Sequence, residues 1–238
     1  MSTRTIVIQQ PNYVPWIGYF DLMHRADVWV WLDDVQYTKN DWRNRNRVAG
    51  RGEGHWITVP VRSRGRFGQT IRETEIDHAA DWAAHHLAAY DECYRHAPFH
   101  GLVRPLLERH VAARRPLLVD LIVPLAKETA ALLGIAPRFV RASSLEGVTG
   151  AKADRVLAIC DRFDCKAYLS GPRGRDYIDP AHFAARGYEL RFAHYDYPPY
   201  DRGGTPSGEP LSILDPLSWI GPEATMALIR GASATEPF

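Results

Sequence analysis

Five short runs of strand-type sequence, at residues 4–9, 28–32, 138–141, 166–169 and 188–192, alternate with helix-type stretches, and each run is followed by a polar cluster. Short apolar, β-branched or aromatic runs bounded by turn signals read as buried strands. Their alternation with helices predicts a mostly parallel sheet covered on both faces. The first run is stopped by Pro11, a short helix is expected over 18–25, and the second run is Val-Trp-Val-Trp-Leu. The alternation then breaks. Residues 55–61 and 70–77 read as two further strands around the Gly- and Arg-rich turn 62–68, and 78–134 reads as helical. Pro98, Pro105, Pro116 and Pro124 suit first turns or breaks between several helices. Further helices are expected over 150–163, 180–186 and 221–230. The expected architecture is a single α/β domain over 1–238, Rossmann-like, with a β-hairpin and helical insert at about 40–134.

Composition narrows the class of chain. Apolar residues make up 45% and charged residues 24%, which excludes disordered, collagen-like and coiled-coil chains. No apolar run approaches the roughly 18 residues a membrane helix needs, and no secretion-type leader is read at Met1. A cytoplasmic protein with no membrane partner is therefore expected. Cys93, Cys160 and Cys165 are an odd set without zinc-site spacing, so neither a disulfide framework nor a metal site is expected.

In an open parallel sheet, ligands bind beyond the carboxyl ends of the strands. Gln9-Gln10-Pro11-Asn12-Tyr13-Val14-Pro15-Trp16 follows the first strand, and Asp33-Asp34-Val35-Gln36-Tyr37 the second. Ser143-Ser144 follows the third, the stretch 170–177 the fourth, and His194-Tyr195-Asp196-Tyr197 the fifth. All five clusters thus fall on one edge of the sheet, where a small-molecule site is expected. Two prolines, Pro11 and Pro15, preset the backbone around Gln10 and Asn12, while Trp16 and Tyr19 read equally well as core. Asp33 and Asp34 have three readings: Mg²⁺ ligands, a general base, or a turn paired to nearby arginines.

Net charge is +1, which as an average argues against nucleic acid, but the distribution is uneven. Lys39, Arg43, Arg45, Arg47, Arg51, Arg62, Arg64, Arg66 and Arg72 form a basic belt interleaved with Trp42, Trp56 and Phe67. Planar guanidinium groups suit phosphate, and interleaved aromatics suit a base or an RNA strand; a solvated surface is the competing reading. On a strand, Arg43-Asn44-Arg45-Asn46-Arg47 would place its arginines on one face. After the fourth strand, Ser170, Gly171, Arg173, Asp176 and Tyr177 form a glycine-containing turn able to approach an anion.

At these residues the chain resembles the WbqC-like family. The likeness is carried by residues 9–21, by Ala26-Asp27-Val28 through Thr38-Lys39, and by Trp42-Arg43-Asn44-Arg45-Asn46. Tyr168-Leu169-Ser170-Gly171 and Leu211-Ser212-Ile213-Leu214-Asp215 continue it. Gln9 departs from the pattern, where the family usually has His before Gln-Pro. The resemblance implies a role in O-antigen and other sugar modification, including attachment of an amino acid such as glycine to an amino sugar. The start of the chain is also similar to nucleotidylyltransferases and adenylate-forming ligases, with Trp16 and Tyr19 where their two phosphate-binding histidines would stand.

The expected activity is amide-forming aminoacyl transfer to an amine on a sugar nucleotide or related metabolite. Asp33 or Asp34 would take the amine proton, and Tyr13, Asn12 and Gln10 would orient the acyl carbonyl. Lys39, Arg43, Arg45, Arg47 and Arg173 would hold phosphates, with Trp16, Tyr19, Gln36, Asn46, Ser170, Gly171, Asp176 and Tyr177 completing the binding surface. The donor would be aminoacyl-tRNA or an acyl-adenylate made from ATP with Mg²⁺. The alternatives are a nucleotidylyltransferase-like enzyme using ATP or CTP, and a non-catalytic nucleotide-sugar or tRNA-binding accessory protein.

Overall fold

The computed structural model describes residues 3–50, 54–176, 178–196, 198–208 and 210–237, with the last six as backbone only. In chain order its elements are β1 (Thr5–Gln9), α1 (Ile17–His24), β2 (Val28–Trp31), β3 (Arg45–Val48) and β4 (His55–Thr58). Three helices follow: α2 (Trp82–Tyr94), α3 (His100–Val111) and α4 (Leu118–Leu132). Then come β5 (Arg138–Arg141), α5 (Lys152–Cys160), β6 (Ala167–Ser170), α6 (Pro180–Ala185), β7 (Glu189–Tyr195), α7 (Leu214–Ala232) and β8 (Ser233–Pro237). The five expected strands form a parallel sheet in the order β5-β2-β1-β6-β7, and β8 adds antiparallel to the β7 edge.

The sheet is buried on both faces, which explains why its strands lack a simple apolar–polar alternation. Successive side chains point to opposite faces, so Val7, Trp29, Trp31 and Leu169 enter one core while Ile6, Ile8, Val30 and Phe192 enter the other. The first core also receives α1, the hairpin β3–β4, α2 to α4 and α7, so the insert packs on the same apolar cluster as the first helix. The second receives α5 and α6. Asp179 caps α6 by accepting from Ala181 N at 2.9 Å, with Pro180 in the first turn, as the sequence pattern implies.

Several local expectations need correction. Residues 70–77 do not form a strand: Thr70 and Glu73 make a reciprocal capping box around a single 3-10 turn, Ile71–Glu73. Its ladder contacts are isolated bridges, Gln36 to Thr70, Val61 to Ile76 and Glu75 to Leu117, and not a continuous strand pairing. Pro105 and Pro124 lie inside α3 and α4 and do not separate helices. Both are exposed, so the carbonyl each leaves unpaired one turn earlier is on the hydrated side. The last helical segment, Leu214–Ala232, is two helices joined at Gly221, whose φ of 75° and ψ of 173° are not helical. The second matches the expected helix over 221–230, and the first, from Leu214, was not expected.

Candidate active site

Strand order reverses between β1 and β6: from β1 the chain moves outward to β2 and β5, and from β6 it moves the other way to β7. The connections leaving β1 and β6 therefore diverge, and a crevice opens between them at the carboxyl ends. A cleft of about 600 Å³ occupies this position. Gln9, Asn12, Trp16 and Tyr19 line it from the β1 side, Ser170, Gly171 and Arg173 from the β6 side, and His194 and Tyr195 from the end of β7. Asp41, Trp42 and Arg43 enter from the segment before the hairpin.

Arg43 is the centre of this arrangement. Its Nε donates to Gln10 Oε1 at 2.6 Å, one terminal nitrogen donates to Asn12 Oδ1, and the other lies 3.4 Å from Asp41 Oδ2. The guanidinium is thus fixed by both amides of the first loop, and its side chain is 14% exposed. Burial lowers the Arg43 pKa, Asp41 draws it back up, and the like charge of nearby Arg173 lowers it again. Burial acts to raise the Asp41 pKa, but Arg43, the Trp42 backbone N–H and Thr38 outweigh it and hold the carboxyl below its ordinary value. Two arginines that feel each other's charge across a crevice favour an anion between them.

The loop that supplies Gln10 and Asn12 is held in a strained shape. Val14 has φ 35°, a left-handed conformation that a β-branched residue rarely adopts. Asn46 Nδ2 donates to the Tyr13 and Val14 carbonyls at 3.1 and 2.9 Å, and Tyr13 N donates to Trp42 O at 3.0 Å. The segment 210–213 closes the other side, with Ser212 N on Arg47 O at 2.8 Å and Ile213 N on Pro15 O at 2.9 Å. This explains why three sequence-distant segments share one motif-like character. Trp16 rests across the first turn of α1, and a Cβ at Gly18 would lie 2.4 Å from its ring. Trp16 also meets Tyr195 edge-on, at 5.7 Å between centroids. Across the cleft, a Cβ at Gly174 would lie 2.0 Å from Ser170 Oγ, so glycine lets the turn carrying Arg173 fold against the end of β6.

Gln10, Asn12, Trp16, Tyr19, Arg43, Ser170, Gly171 and Arg173 therefore come together at the strand ends. The remaining expected residues lie elsewhere. Tyr13 is fully buried with its hydroxyl 2.9 Å from His86 Nδ1, and burial pushes its pKa up, so it faces the helical insert and not the cleft. Asp33 is also fully buried: Arg141 Nε donates to Oδ2 at 2.7 Å, Ser143 N to Oδ1 at 2.9 Å and Ser143 Oγ to Oδ2 at 2.7 Å. Asp34 is paired with Arg155. These carboxylates tie the end of β2 to β5 and α5 through arginines more than a hundred residues away, not through the nearby arginines expected, and neither lines the cleft. These contacts engage both oxygens of Asp33 and one, Oδ2, of Asp34.

Arg45 and Arg47 share the open face of β3 while Asn46 and Val48 are buried, but Arg43 lies before the strand and turns into the cleft, so the expected alternation holds for two of the three arginines. The Arg45 guanidinium lies over the Trp56 ring at 4.3 Å and donates to Asn40 O. Gln36 and Lys39 are exposed and border a separate surface around the 65–69 turn. Asp176 is exposed on the rim beyond Arg173, Arg51 and Tyr177 lie outside the described residues, and Tyr19 is buried at the cleft wall with its hydroxyl donating to Gln10 O at 3.1 Å. Sequence reasoning placed His194 at the strand ends without a role. Here its Nε2 lies 2.9 Å from Asp196 Oδ1, beside the cleft. From the sequence, Trp42 is expected as part of the basic belt and of the family-like segment, and no role in the site is expected for Asp41.

No helix among the described residues is long and apolar enough to cross a membrane, and no group of three or more His, Cys, Asp or Glu is arranged to hold a metal ion. The model of the WbqC-like protein family matches residues 10–227. A Mycobacterium tuberculosis protein designated Rv1507c is 38% identical over 226 residues, which is 93% of this chain and 96% of its own. No solved structure matches.

Proposed function

The chain belongs to the WbqC-like protein family, and from that premise we propose that it transfers an aminoacyl group, such as glycyl, to an amine on a sugar nucleotide or related phosphorylated metabolite bound in the β1–β6 cleft. In this reading the sheet is a Rossmann-like, doubly wound one of the nucleotidylyltransferase type, interrupted by the hairpin and helical insert. The observation that carries the proposal is the guanidinium of Arg43, locked by Gln10 and Asn12 and sharing with Arg173 the lining of the cleft where the strand order reverses. A preorganised arginine pair at such a fork suits the phosphate of a substrate, and the aromatic wall of Trp16, Tyr19 and Tyr195 suits the apolar face of a sugar.

The chemistry follows from what remains free to act. The acceptor amine attacks the acyl carbonyl, a C–N bond forms, and the bond to the donor oxygen breaks. The amine proton passes to a base. Asp33 and Asp34 are committed to Arg141, Ser143 and Arg155, so the reading assigns that proton to His194, whose ring is oriented by Asp196. Asn12 orients the acyl carbonyl. The donor is an activated ester or anhydride, aminoacyl-tRNA or an acyl-adenylate, in the cytoplasm in either case.

Reconstitution tests this directly, with an amino-sugar nucleotide, glycine, ATP and charged tRNA present together and each omitted in turn. A product heavier by one amino-acid residue is expected. Loss of the product on omitting tRNA assigns the ester donor, and loss on omitting ATP alone assigns the adenylate. Absence of any such product in every combination overturns the proposal, and pyrophosphate release without it would favour nucleotidyl transfer.

A further inference from the structure

Beside the arginine cleft lies a second cavity of about 350 Å³, bounded by Pro15, Trp16, Trp42, Asn46, Arg47 and Pro210. The two cavities share Asn12, Trp16 and Trp42, so they are lobes of one site that meet at the strained first loop. Their chemistry differs. The first lobe carries Arg43 and Arg173, while the second is walled by two indoles and two prolines and edged by a single cation, Arg47. Trp42 is 39% exposed despite its size and stands 5.5 Å from Trp56, which is 43% exposed. Large aromatics left open to solvent at a cavity mouth mark a binding surface.

We infer that the second lobe is a nucleobase subsite, in which a planar base stacks on Trp42 against Trp16 and presents hydrogen-bond acceptors to Arg47. The inference rests on the proposed reading of the arginine lobe, because it joins that lobe's phosphate to a ring in the adjoining lobe. Flat apolar walls favour the faces of a planar heterocycle, and a guanidinium can only donate, which selects a ring edge bearing acceptors. Stacking of a base on an aromatic side chain contributes about 1–3 kcal/mol, roughly a 5- to 150-fold change in affinity. Two sources can supply such a base, a free nucleotide and the 3′-terminal adenosine of a tRNA.

Calorimetric titration with AMP, ribose 5-phosphate and unacylated tRNA, with and without its 3′-terminal adenosine, separates these cases. AMP should bind at least about tenfold more tightly than ribose 5-phosphate. Trp42→Leu should lower AMP affinity far more than ribose 5-phosphate affinity, and Trp42→Phe should restore most of the difference. Competition of AMP with intact tRNA, but not with tRNA lacking the terminal adenosine, assigns the base to the RNA end; no competition assigns it to a free nucleotide. Trp42 is exposed enough that its replacement should leave the circular dichroism spectrum unchanged. If AMP binds no better than ribose 5-phosphate, or Trp42→Leu leaves AMP affinity intact, the base subsite is refuted while the arginine lobe stands. If neither compound binds, both readings fall.

Discussion

Arg43 Nε donates to Gln10 Oε1 at 2.6 Å, joining the end of the first strand to a residue 33 positions later. The same guanidinium reaches Asn12 and Asp41, so its position is set by three side chains at once. A lysine has one nitrogen and cannot satisfy this geometry. Arg43→Lys should therefore weaken phosphate binding by at least about tenfold, the equivalent of one lost charged hydrogen bond. Arg230→Ala, on the exposed end of α7, should leave it unchanged. Titration of both variants with inorganic phosphate or a sugar phosphate checks this.

Asp33 behaves as a fastener. Its oxygens accept three hydrogen bonds from Arg141 and Ser143 in a fully buried setting. Asp33→Asn should cost about 2–4 kcal/mol of stability, because it removes the charge that those donors were arranged to meet. Turnover per folded molecule should stay within about threefold of the parent. Urea denaturation and an activity assay on the folded fraction separate the two effects; a stable but inactive variant would return Asp33 to the chemistry.

His86 makes folding sensitive to acid. Burial lowers its pKa to about 4, while its hydrogen bond to the Thr58 backbone acts in the opposite direction. Its Nδ1 lies 2.9 Å from the Tyr13 hydroxyl. The folded pKa is below the unfolded one, so the unfolded chain binds the proton more readily. Stability from this site is complete above about pH 6.5 and is lost progressively down to about pH 4, by roughly 3 kcal/mol in total. His86→Gln should flatten that part of the stability–pH curve measured by denaturant titration.

Gly18 sits in the first turn of α1, beneath the Trp16 ring. Alanine there would favour the helix by about 0.5–1 kcal/mol but would place its Cβ within 2.4 Å of the indole. The ring can swing away from the helix only by giving up its place between the two lobes of the cleft. Gly18→Ala should thus change the melting temperature by only a few degrees and weaken AMP binding about tenfold. A variant that binds AMP normally would show that the cleft does not depend on this ring position.

The strand ends were legible because buried parallel strands write continuous apolar runs, and polar residues beyond them are then easy to see. Gln10, Asn12 and Ser170 were found in this way. What the sequence could not show is which carboxylate at a strand end is free. Asp33 looks available until Arg141 and Ser143, more than a hundred residues later, are brought against it. Tyr13 misled for a related reason: it lies one residue from Asn12, yet faces the helical insert, whereas Asn46 holds the loop and also lines the second cavity. The 70–77 segment was misread because its β-branched residues suggest a strand, whereas the Thr70–Glu73 capping box closes a local turn. Strand β8 gave no signal beyond the last helix, since an edge strand of five residues carries little pattern of its own.

The central position of β1 has a consequence for how the molecule comes into being. Its one edge meets β2, which follows within about twenty residues, but its other edge waits for β6, which begins at Ala167. A chain emerging from the ribosome must therefore carry its first strand half unpaired while the hairpin and three helices are made. Contacts this distant in sequence slow folding, and an open strand edge invites pairing with other chains. The early hairpin is well placed to limit that exposure, because Asn46 and Trp42 can grip the first loop long before β6 arrives. The segment that shapes the binding cleft in the finished protein would then also chaperone its first strand.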